Sequence, residues 1–190
     1  MVKPKDEAKA REILAATLHE VAAHGLASLS IEAVAKRAGV ATGTVYVYHK
    51  GKEALLDALY LATKKELASA VFESTADLPV RVAFERTCVA YVDYLTTHRE
   101  AVSFMQQMLR SSFVSAETRA EAQAVAAPLA ALLERGKREA LLKNLETPFM
   151  IAFLTGTVDE LSRYLETLPP KSRRAQRDAI AQLCWDALKA

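Results

Sequence analysis

Apolar residues recur at intervals of three and four along almost the whole chain, and short polar or proline-containing stretches separate the apolar segments. The first segment, from about Ala8 to Gly25, places Ile13, Leu18 and Val21 on one face, as in an amphipathic helix. No alternating strand pattern, internal repeat or low-complexity tract occurs. The sequence therefore predicts an all-α protein.

Eight further segments follow the same helical period. They run over about 31–38, 42–48, 52–73, 79–98, 100–112, 115–141, 148–166 and 172–188. Pro128 lies inside the segment that begins near Ser115, and because proline removes a backbone donor, it predicts a kink of about 20° or more. Thr147 and Ser172 are predicted to cap the last two helices.

The stretch from residue 31 to residue 50 has the spacing of a helix-turn-helix. Ala35 is small where two crossing helices come closest, and Gly39 suits a left-handed turn that other residues adopt only with strain. Ser30 is a favoured N-cap for the first of the two helices. The residues that would close a small core between them are Val34, Ala38, Val40, Val45 and Tyr48. The spacing predicts a three-helix unit over about residues 1–50, whose last helix enters a DNA groove.

Composition and charge restrict the class of protein. The 190 residues suffice for one or two domains, and a net charge of only +2 argues against a protein that coats nucleic acid by charge alone. No apolar run approaches the roughly 20 residues that span a bilayer. Residues 1–10 lack the apolar core of a signal peptide, so we expect a cytoplasmic protein without a membrane partner. Cys88 and Cys184 lie in apolar helical patterns and are predicted to be small buried residues.

An enzyme is the first rival interpretation. The histidines at positions 19, 24, 49 and 98 lack metal-ligand spacing, and no HExxH or CxxC pattern occurs. No Ser-His-Asp set, phosphate loop or dinucleotide fingerprint is visible either, so we expect no catalysis, no metal and no cofactor. A helical-bundle interaction protein without specific DNA binding stays open as the alternative, although it leaves the pattern at 31–52 unexplained.

Three segments resemble the TetR family of transcriptional regulators: LSIEAVAKRAGV at 29–40, TGTVYVY at 42–48 and KGKEALL at 50–56. The similarity is close in this N-terminal part and otherwise rests on length, helix count and placement. The resemblance implies about nine helices, with a DNA-binding head over residues 1–52 and a ligand-binding and dimerisation bundle over residues 53–190. It also implies a homodimeric repressor that leaves a palindromic operator when a small apolar or amphipathic effector enters the bundle.

The chain departs from the family pattern at two positions. His49 stands where the family usually has phenylalanine, and a histidine ring there needs hydrogen-bond partners. Ala41 stands where serine often begins the recognition helix, and Thr42 is the residue that could cap that helix instead.

Eight residues are predicted to contact DNA. They are Ser30, Thr42, Gly43, Thr44, Tyr46, Val47, Tyr48 and Lys52. The threonines offer hydroxyls to phosphates or base edges and methyls to thymine, and the glycine permits close backbone approach. In the family, the positions that match Tyr48 and Lys52 hold the phosphate backbone, and the position that matches Tyr46 helps to hold the helix. Both tyrosines could also be core aromatics, and Lys36 and Arg37 a solvated face.

The predicted recognition helix is poor in side chains that read bases. No arginine, asparagine or glutamine lies between Thr42 and Tyr48. Because those residue types supply the bidentate base contacts, we infer modest direct readout with help from DNA shape.

The C-terminal part carries two further predictions, of which the effector pocket rests on the family resemblance and the dimer interface on the apolar pattern together with it. Seven aromatic, thioether and hydroxyl side chains form the predicted effector pocket, with the alternative that they are ordinary core: Phe84, Thr87, Tyr91, Phe104, Met105, Met108 and Phe113. The helix at 148–166 is apolar on more than one face and is expected to pair with the last helix across a dimer. The residues predicted at that interface are Phe149, Phe153, Leu161, Ile180, Leu183 and Trp185.

Overall fold

The structure is a computed structural model that describes residues 7–73, 75 and 77–190. These residues form ten α-helices and no strand. The helices are α1 (Glu7–Ser28), α2 (Ile31–Arg37), α3 (Thr42–Tyr48), α4 (Lys52–Phe72), α5 (Val80–Thr97), α6 (Arg99–Leu109), α7 (Ala116–Ala124), α8 (Ala127–Arg138), α9 (Thr147–Thr167) and α10 (Pro170–Leu188). The all-α prediction is confirmed. Among the described residues, no helix combines the length and the hydropathy that a membrane-spanning segment requires.

Packing divides the chain into two compact units. The first unit comprises the described residues of Met1–Lys64 together with Arg99–Ala122, and the second comprises those of Lys65–His98 together with Gln123–Ala190. The head predicted over residues 1–52 therefore lies wholly in the first unit, which also contains α6. The domain boundary between residues 52 and 53 stays a prediction.

In the first unit, α1 packs against α2 and α6, and α2 packs against α3. Ile13, Val34, Val45 and Leu55 have no exposed surface, as their helical spacing predicts. Gly25 interrupts α1 near its end, because its φ of 81° and ψ of 163° are not helical. The last residues of α1 therefore leave the direction of its first turns just before α2 begins.

In the second unit, α5 packs against α8, α9 and α10, and α9 also packs against α8 and α10. The rings of Phe84 in α5 and Trp185 in α10 meet edge to face at 5.4 Å. Cys88 and Cys184 are free, buried thiols on the same two helices, and the hydrogen bond between them raises the pKa of Cys88. The four helices thus enclose one apolar core.

Three predicted helix features differ from the structure. The segment expected as one kinked helix over 115–141 is two helices, because the chain leaves the helical path at residues 125–126 and Pro128 falls in the first turn of α8. Proline is tolerated there, where its missing N–H has no helical partner. Thr147 is the first residue of α9 rather than its cap, and α10 begins at Pro170, two residues before Ser172.

Candidate nucleic-acid interface

The turn between α2 and α3 has the left-handed glycine that the sequence predicts. Gly39 has φ of 66°, and its N–H donates to the Lys36 carbonyl at 3.3 Å. The N–H of Val40 donates to the Ala35 carbonyl at 3.0 Å, which completes a Schellman motif at the end of α2. Ala35 itself is 1% exposed. The turn therefore fixes the direction in which the chain leaves α2. The small side chain of Ala35 lies in the core between the helices.

The starts of α2 and α3 are built differently. Ser30 is the N-cap of α2, and its hydroxyl oxygen accepts from the Ala33 N–H at 3.1 Å, which leaves the hydroxyl hydrogen for another acceptor. The N-cap of α3 is Ala41, which makes no side-chain bond. The expectation that Thr42 caps α3 is therefore wrong, since Thr42 is already the first helical residue.

One face of α3 is buried and the opposite face is exposed. Val45 has no exposed surface, whereas Tyr46 is 51% and Val47 63% exposed. Gly43 is exposed too, and a Cβ added there would meet no atom within 4 Å. The other predicted contact residues on α3, Thr42, Thr44 and Tyr48, are half-buried. The structure thus brings the predicted α3 residues onto a short helix with an accessible outer side, and their contact with DNA stays a prediction.

Lys52, at the start of α4, already has two neighbours in the first unit. Its ammonium donates to the Ala27 carbonyl at 3.0 Å and lies 5.6 Å from the centre of the Phe113 ring. The Asp57 carboxylate, further along α4, accepts from the Ser115 N–H at 3.2 Å. The segment after α6 is therefore attached to the first turns of α4 beside the position predicted to hold a phosphate. Sequence reasoning found Lys52 and missed both of these contacts.

An ion pair that the sequence analysis did not predict joins α1 to α2. Arg37 donates to the Glu20 carboxylate at 2.5 Å, and His24 lies 3.3 Å from the same carboxylate. The hydrogen bond from Arg37 lowers the pKa of Glu20 despite its burial. Arg37 and Lys36 are both exposed, as a solvated face predicts, and Arg37 also links α2 to α1 through this ion pair. The sequence feature that could have indicated this ion pair is Glu20, a carboxylate beside Val21 on a largely apolar face of α1.

The predicted effector-pocket residues fall in both units. Phe84, Thr87 and Tyr91 belong to the second unit, and Phe104, Met105, Met108 and Phe113 belong to the first. In the second unit, the Tyr91 hydroxyl donates to Asp159 in α9 at 2.7 Å, and burial raises the pKa of Tyr91 well above its ordinary value. The pocket itself stays a prediction.

The predicted dimer residues differ in exposure. Phe149 in α9 is 63% exposed and Leu183 in α10 is 59% exposed, while Phe153 and Leu161 are half-buried. Ile180 and Trp185 instead lie inside the chain, at 4% and 5% exposure, because their faces of α10 pack within the second unit. These two residues pack beneath the surface of α10 and are not exposed to contact a partner.

Three described cavities lie in the second unit, with volumes of about 380, 430 and 490 Å³. They lie beside α5, beside α8, and between α5 and the junction of α9 with α10. None of the seven predicted pocket residues lines any of the three. Within the described residues, no three His, Cys, Asp or Glu side chains are grouped so that they could hold a metal ion.

Comparison with known proteins assigns both parts of the chain. Residues 13–59 match the family model of bacterial regulatory proteins, tetR family, and residues 62–190 match that of the tetracyclin repressor-like C-terminal domain. The HTH-type transcriptional regulator YhgD of Bacillus subtilis, whose function is uncharacterized, is 28% identical over 96 residues. The chain spans about half the length of this curated relative, and the match covers 50% of each.

Solved structures resemble the whole chain. One assigned to the tetR family of transcription regulators, from Shewanella sp. PV-4, is 26% identical with a TM-score of 0.85, and the match covers 96% of this chain and 98% of the other. A TetR family regulator from Marinobacter aquaeolei VT8 is 24% identical with a TM-score of 0.85, over 97% of each chain. FadR from Bacillus subtilis, solved with stearoyl-CoA, is 20% identical with a TM-score of 0.73, over 93% of this chain and 95% of its own. The last two show a shared fold.

Acid is expected to weaken the contact between α1 and α2 through Glu20. Because Arg37 lowers the pKa of Glu20 from its ordinary value of 4.5, the carboxylate stabilises the folded chain above that pH and loses this effect as the pH falls through the lowered pKa. Glu20→Gln should therefore lower the urea midpoint at about pH 7, and the deficit should shrink at about pH 3. Glu12→Gln, an exposed change on α1, is the control. Equal deficits for Glu20→Gln at both pH values would contradict the assignment.

Proposed function

The chain belongs to the TetR family of bacterial regulatory proteins, which are DNA-binding transcription regulators, and from this premise we propose a more specific role. It acts in the cytoplasm as a homodimeric repressor on a palindromic operator, and a small amphipathic effector releases it. The observation that carries the proposal is the motif of α2, Gly39 and α3, whose second helix has an exposed outer face.

Exposure on α3 supports entry of that helix into the major groove. Tyr46 and Val47 project from the outer side, and Gly43 adds no side chain that would keep the helix backbone from the DNA. Ser30, at the start of α2, retains a hydroxyl hydrogen for a phosphate oxygen. Thr42 and Thr44 supply short hydroxyl and methyl groups, so direct base readout is modest and DNA shape contributes specificity.

Two copies of α3 would read two half-sites. In such dimers the recognition helices enter successive major grooves about 34–36 Å apart, or somewhat more. The exposed apolar side chains of Phe149 and Leu183 support a partner surface formed by α9 and α10, because large exposed apolar groups on a helix pair mark an interaction site. Ile180 and Trp185 lie buried behind this surface and hold α10 in place.

A row of polar side chains between α5 and α9, here called the polar seam, supports the proposal that an effector binds in the second unit. Thr87, Tyr91 and Tyr94 lie on one face of α5, and Asp159 and Ser162 lie on one face of α9, with the bond between Tyr91 and Asp159 joining the two. The hydroxyls of Thr87, Tyr94 and Ser162 are buried and make no hydrogen bond within the described residues. Each unpaired buried hydroxyl costs about 1–3 kcal/mol, which a ligand with polar groups would recover.

The effector class follows from the seam and from one structural neighbour. The seam offers hydroxyl groups within apolar helices, which suits an amphipathic molecule. FadR of Bacillus subtilis, which shares the fold, was solved with stearoyl-CoA, and this makes a long-chain acyl thioester the first compound to test. An effector releases DNA by binding more tightly to the chain conformation that fits the operator poorly.

The first unit contains contacts that can alter the DNA-binding face. Phe113 lies against Lys52, the Ser115 N–H donates to Asp57, and α6 packs along α1, where Glu100 lies 2.9 Å from His19. Because Phe113 and Ser115 contact the first turns of α4, a displacement of α6 and its following segment would change the position of Lys52. A lysine drawn towards Phe113 and Ala27 is less available to a phosphate.

Removal of the Tyr46 hydroxyl is expected to weaken operator binding while the fold stays intact. We place the Tyr46 hydroxyl, on the exposed side of α3, against a backbone phosphate. A hydrogen bond to a charged phosphate contributes about 1.5–3 kcal/mol, so Tyr46→Phe should lower affinity about tenfold or more. Tyr164→Phe is the matched control, since Tyr164 is 55% exposed in α9 and Tyr46 is 51% exposed in α3. The measurement is a mobility shift with the DNA upstream of the protein's own reading frame. If the folded wild-type chain gives no saturable, sequence-dependent shift at low salt, the helical-bundle interaction protein becomes the better interpretation.

Thr87→Val is expected to separate ligand binding from folding. Because the change removes an unpaired buried hydroxyl, it should leave the melting temperature of the ligand-free chain equal or higher. Stearoyl-CoA should raise the melting temperature of the wild-type chain and release its operator, and the variant should bind this compound about tenfold more weakly. Thr63→Val is the control, because Thr63 is also buried but donates to the Leu59 carbonyl. A destabilised Thr87→Val chain with unchanged stearoyl-CoA affinity would show a purely structural role.

A further inference from the structure

An arginine-lined cavity of about 490 Å³ lies in the second unit, where α9 ends and α10 begins beside the last turns of α5. Its volume falls within the roughly 300–1,000 Å³ of small-molecule sites. The residues that line it are Val92, Asp93, Thr96, Thr97, Leu165, Pro170, Arg173, Arg174 and Arg177. Three arginines of the basic run at 171–177 thus line a concave site.

Two of the three arginines are held in place by the protein. Arg177 donates to both oxygens of Asp93 at 3.0 Å and also pairs with Asp178 at 3.1 Å, so its charge is compensated. Arg173 donates to the carbonyls of Leu168 and Glu166 at 2.9 and 3.2 Å, at the end of α9. These carbonyl groups are neutral acceptors and leave the positive charge of Arg173 in place.

Arg174 is the third arginine and is exposed at the cavity. Within the part of the chain that the structure describes, no carboxylate pairs with it. Three guanidinium groups and one carboxylate line the cavity, and with Asp178 paired to Arg177 the formal excess is one positive charge. The start of the 19-residue helix α10 adds the positive end of its dipole. The cavity is electrostatically suited to an anion.

The other side of the cavity is apolar. Val92 and Leu165 are buried at 1% and 2% exposure, and Pro170 adds a ring without an N–H. The hydroxyls of Thr96 and Thr97 donate to carbonyls of their own helix, at Val92 and Asp93, so their hydrogens are already bonded. A ligand that fits both sides needs an anionic end and an apolar body.

We propose that this cavity binds small molecules that carry a phosphate group on an apolar body. Planar guanidinium groups donate several N–H bonds in a fixed fork and match the oxygens of a phosphate, which carries more charge and more acceptors than a carboxylate. Arg174 supplies the free fork and Arg173 adds its charge, while Val92 and Leu165 contact the apolar body. The site shares no residue with the polar seam and does not depend on DNA binding.

The test uses the full-length chain without DNA and octyl phosphate as the probe, measured by titration calorimetry. Inorganic phosphate and octan-1-ol present the two halves of the probe separately. Octyl phosphate is expected to bind at one site per chain and more tightly than either half. Arg174→Ala should weaken its binding about tenfold, because charge-assisted bonds to one guanidinium are lost.

Lys171→Ala is the matched control, since Lys171 carries the same charge in the same turn of α10 but does not line the cavity. This variant is expected to stay within about twofold of the wild-type affinity. Equal losses in the two variants would overturn the proposal, because they would show diffuse attraction to the basic run. Octan-1-ol binding as tightly as octyl phosphate, or no binding of octyl phosphate to a cooperatively folded chain, would overturn it as well.

Discussion

The direction of α3 depends on a single backbone conformation, the left-handed turn at Gly39. A residue with a Cβ pays about 1–2 kcal/mol of strain in that region, whereas glycine adopts it freely. Two hydrogen bonds from the turn to the end of α2 hold the conformation, and the buried Ala35 and Val45 fill the angle between the helices. Exposure of the opposite side of α3 follows from this angle. The ion pair of Arg37 with Glu20 then fixes the motif to α1.

Helix positions and helix ends could be predicted from the sequence because they depend on residues that are close together in the chain. Helical period located nine segments, and Ser30 and Gly39 marked the ends of α2 through capping chemistry. The interruption before Pro128 was misjudged, since the same residue suits either a kink or a first helical turn. Neighbouring residues decide between the two, and an alanine-rich stretch gives little indication of where the helix stops.

Contacts between residues far apart in the chain could not be predicted from the sequence. Lys52 meets Ala27 and Phe113, which lie 25 and 61 positions away, and no spacing rule connects them. The apolar stripe of α10 illustrates a second limit. Leu183 is exposed and Trp185 is buried, although both are large and apolar, because packing inside the chain and packing against a partner select the same residue types. Periodicity identified the helix and left its two apolar faces indistinguishable.

Two chains are proposed to place two α3 helices on one operator, and hydroxyl-radical footprinting combined with a mass measurement of the complex tests this arrangement. Hydroxyl-radical footprinting should show two protected tracts centred about 34–36 Å apart or somewhat more, and the complex should contain two chains. Leu183→Glu should give a monomer that leaves no footprint at the same concentration, whereas Leu109→Glu, at a position of similar exposure (61% against 59%) in the first unit, should keep both tracts. A single protected tract with one bound chain, or an unchanged footprint with Leu183→Glu, would contradict the paired arrangement of the α3 helices.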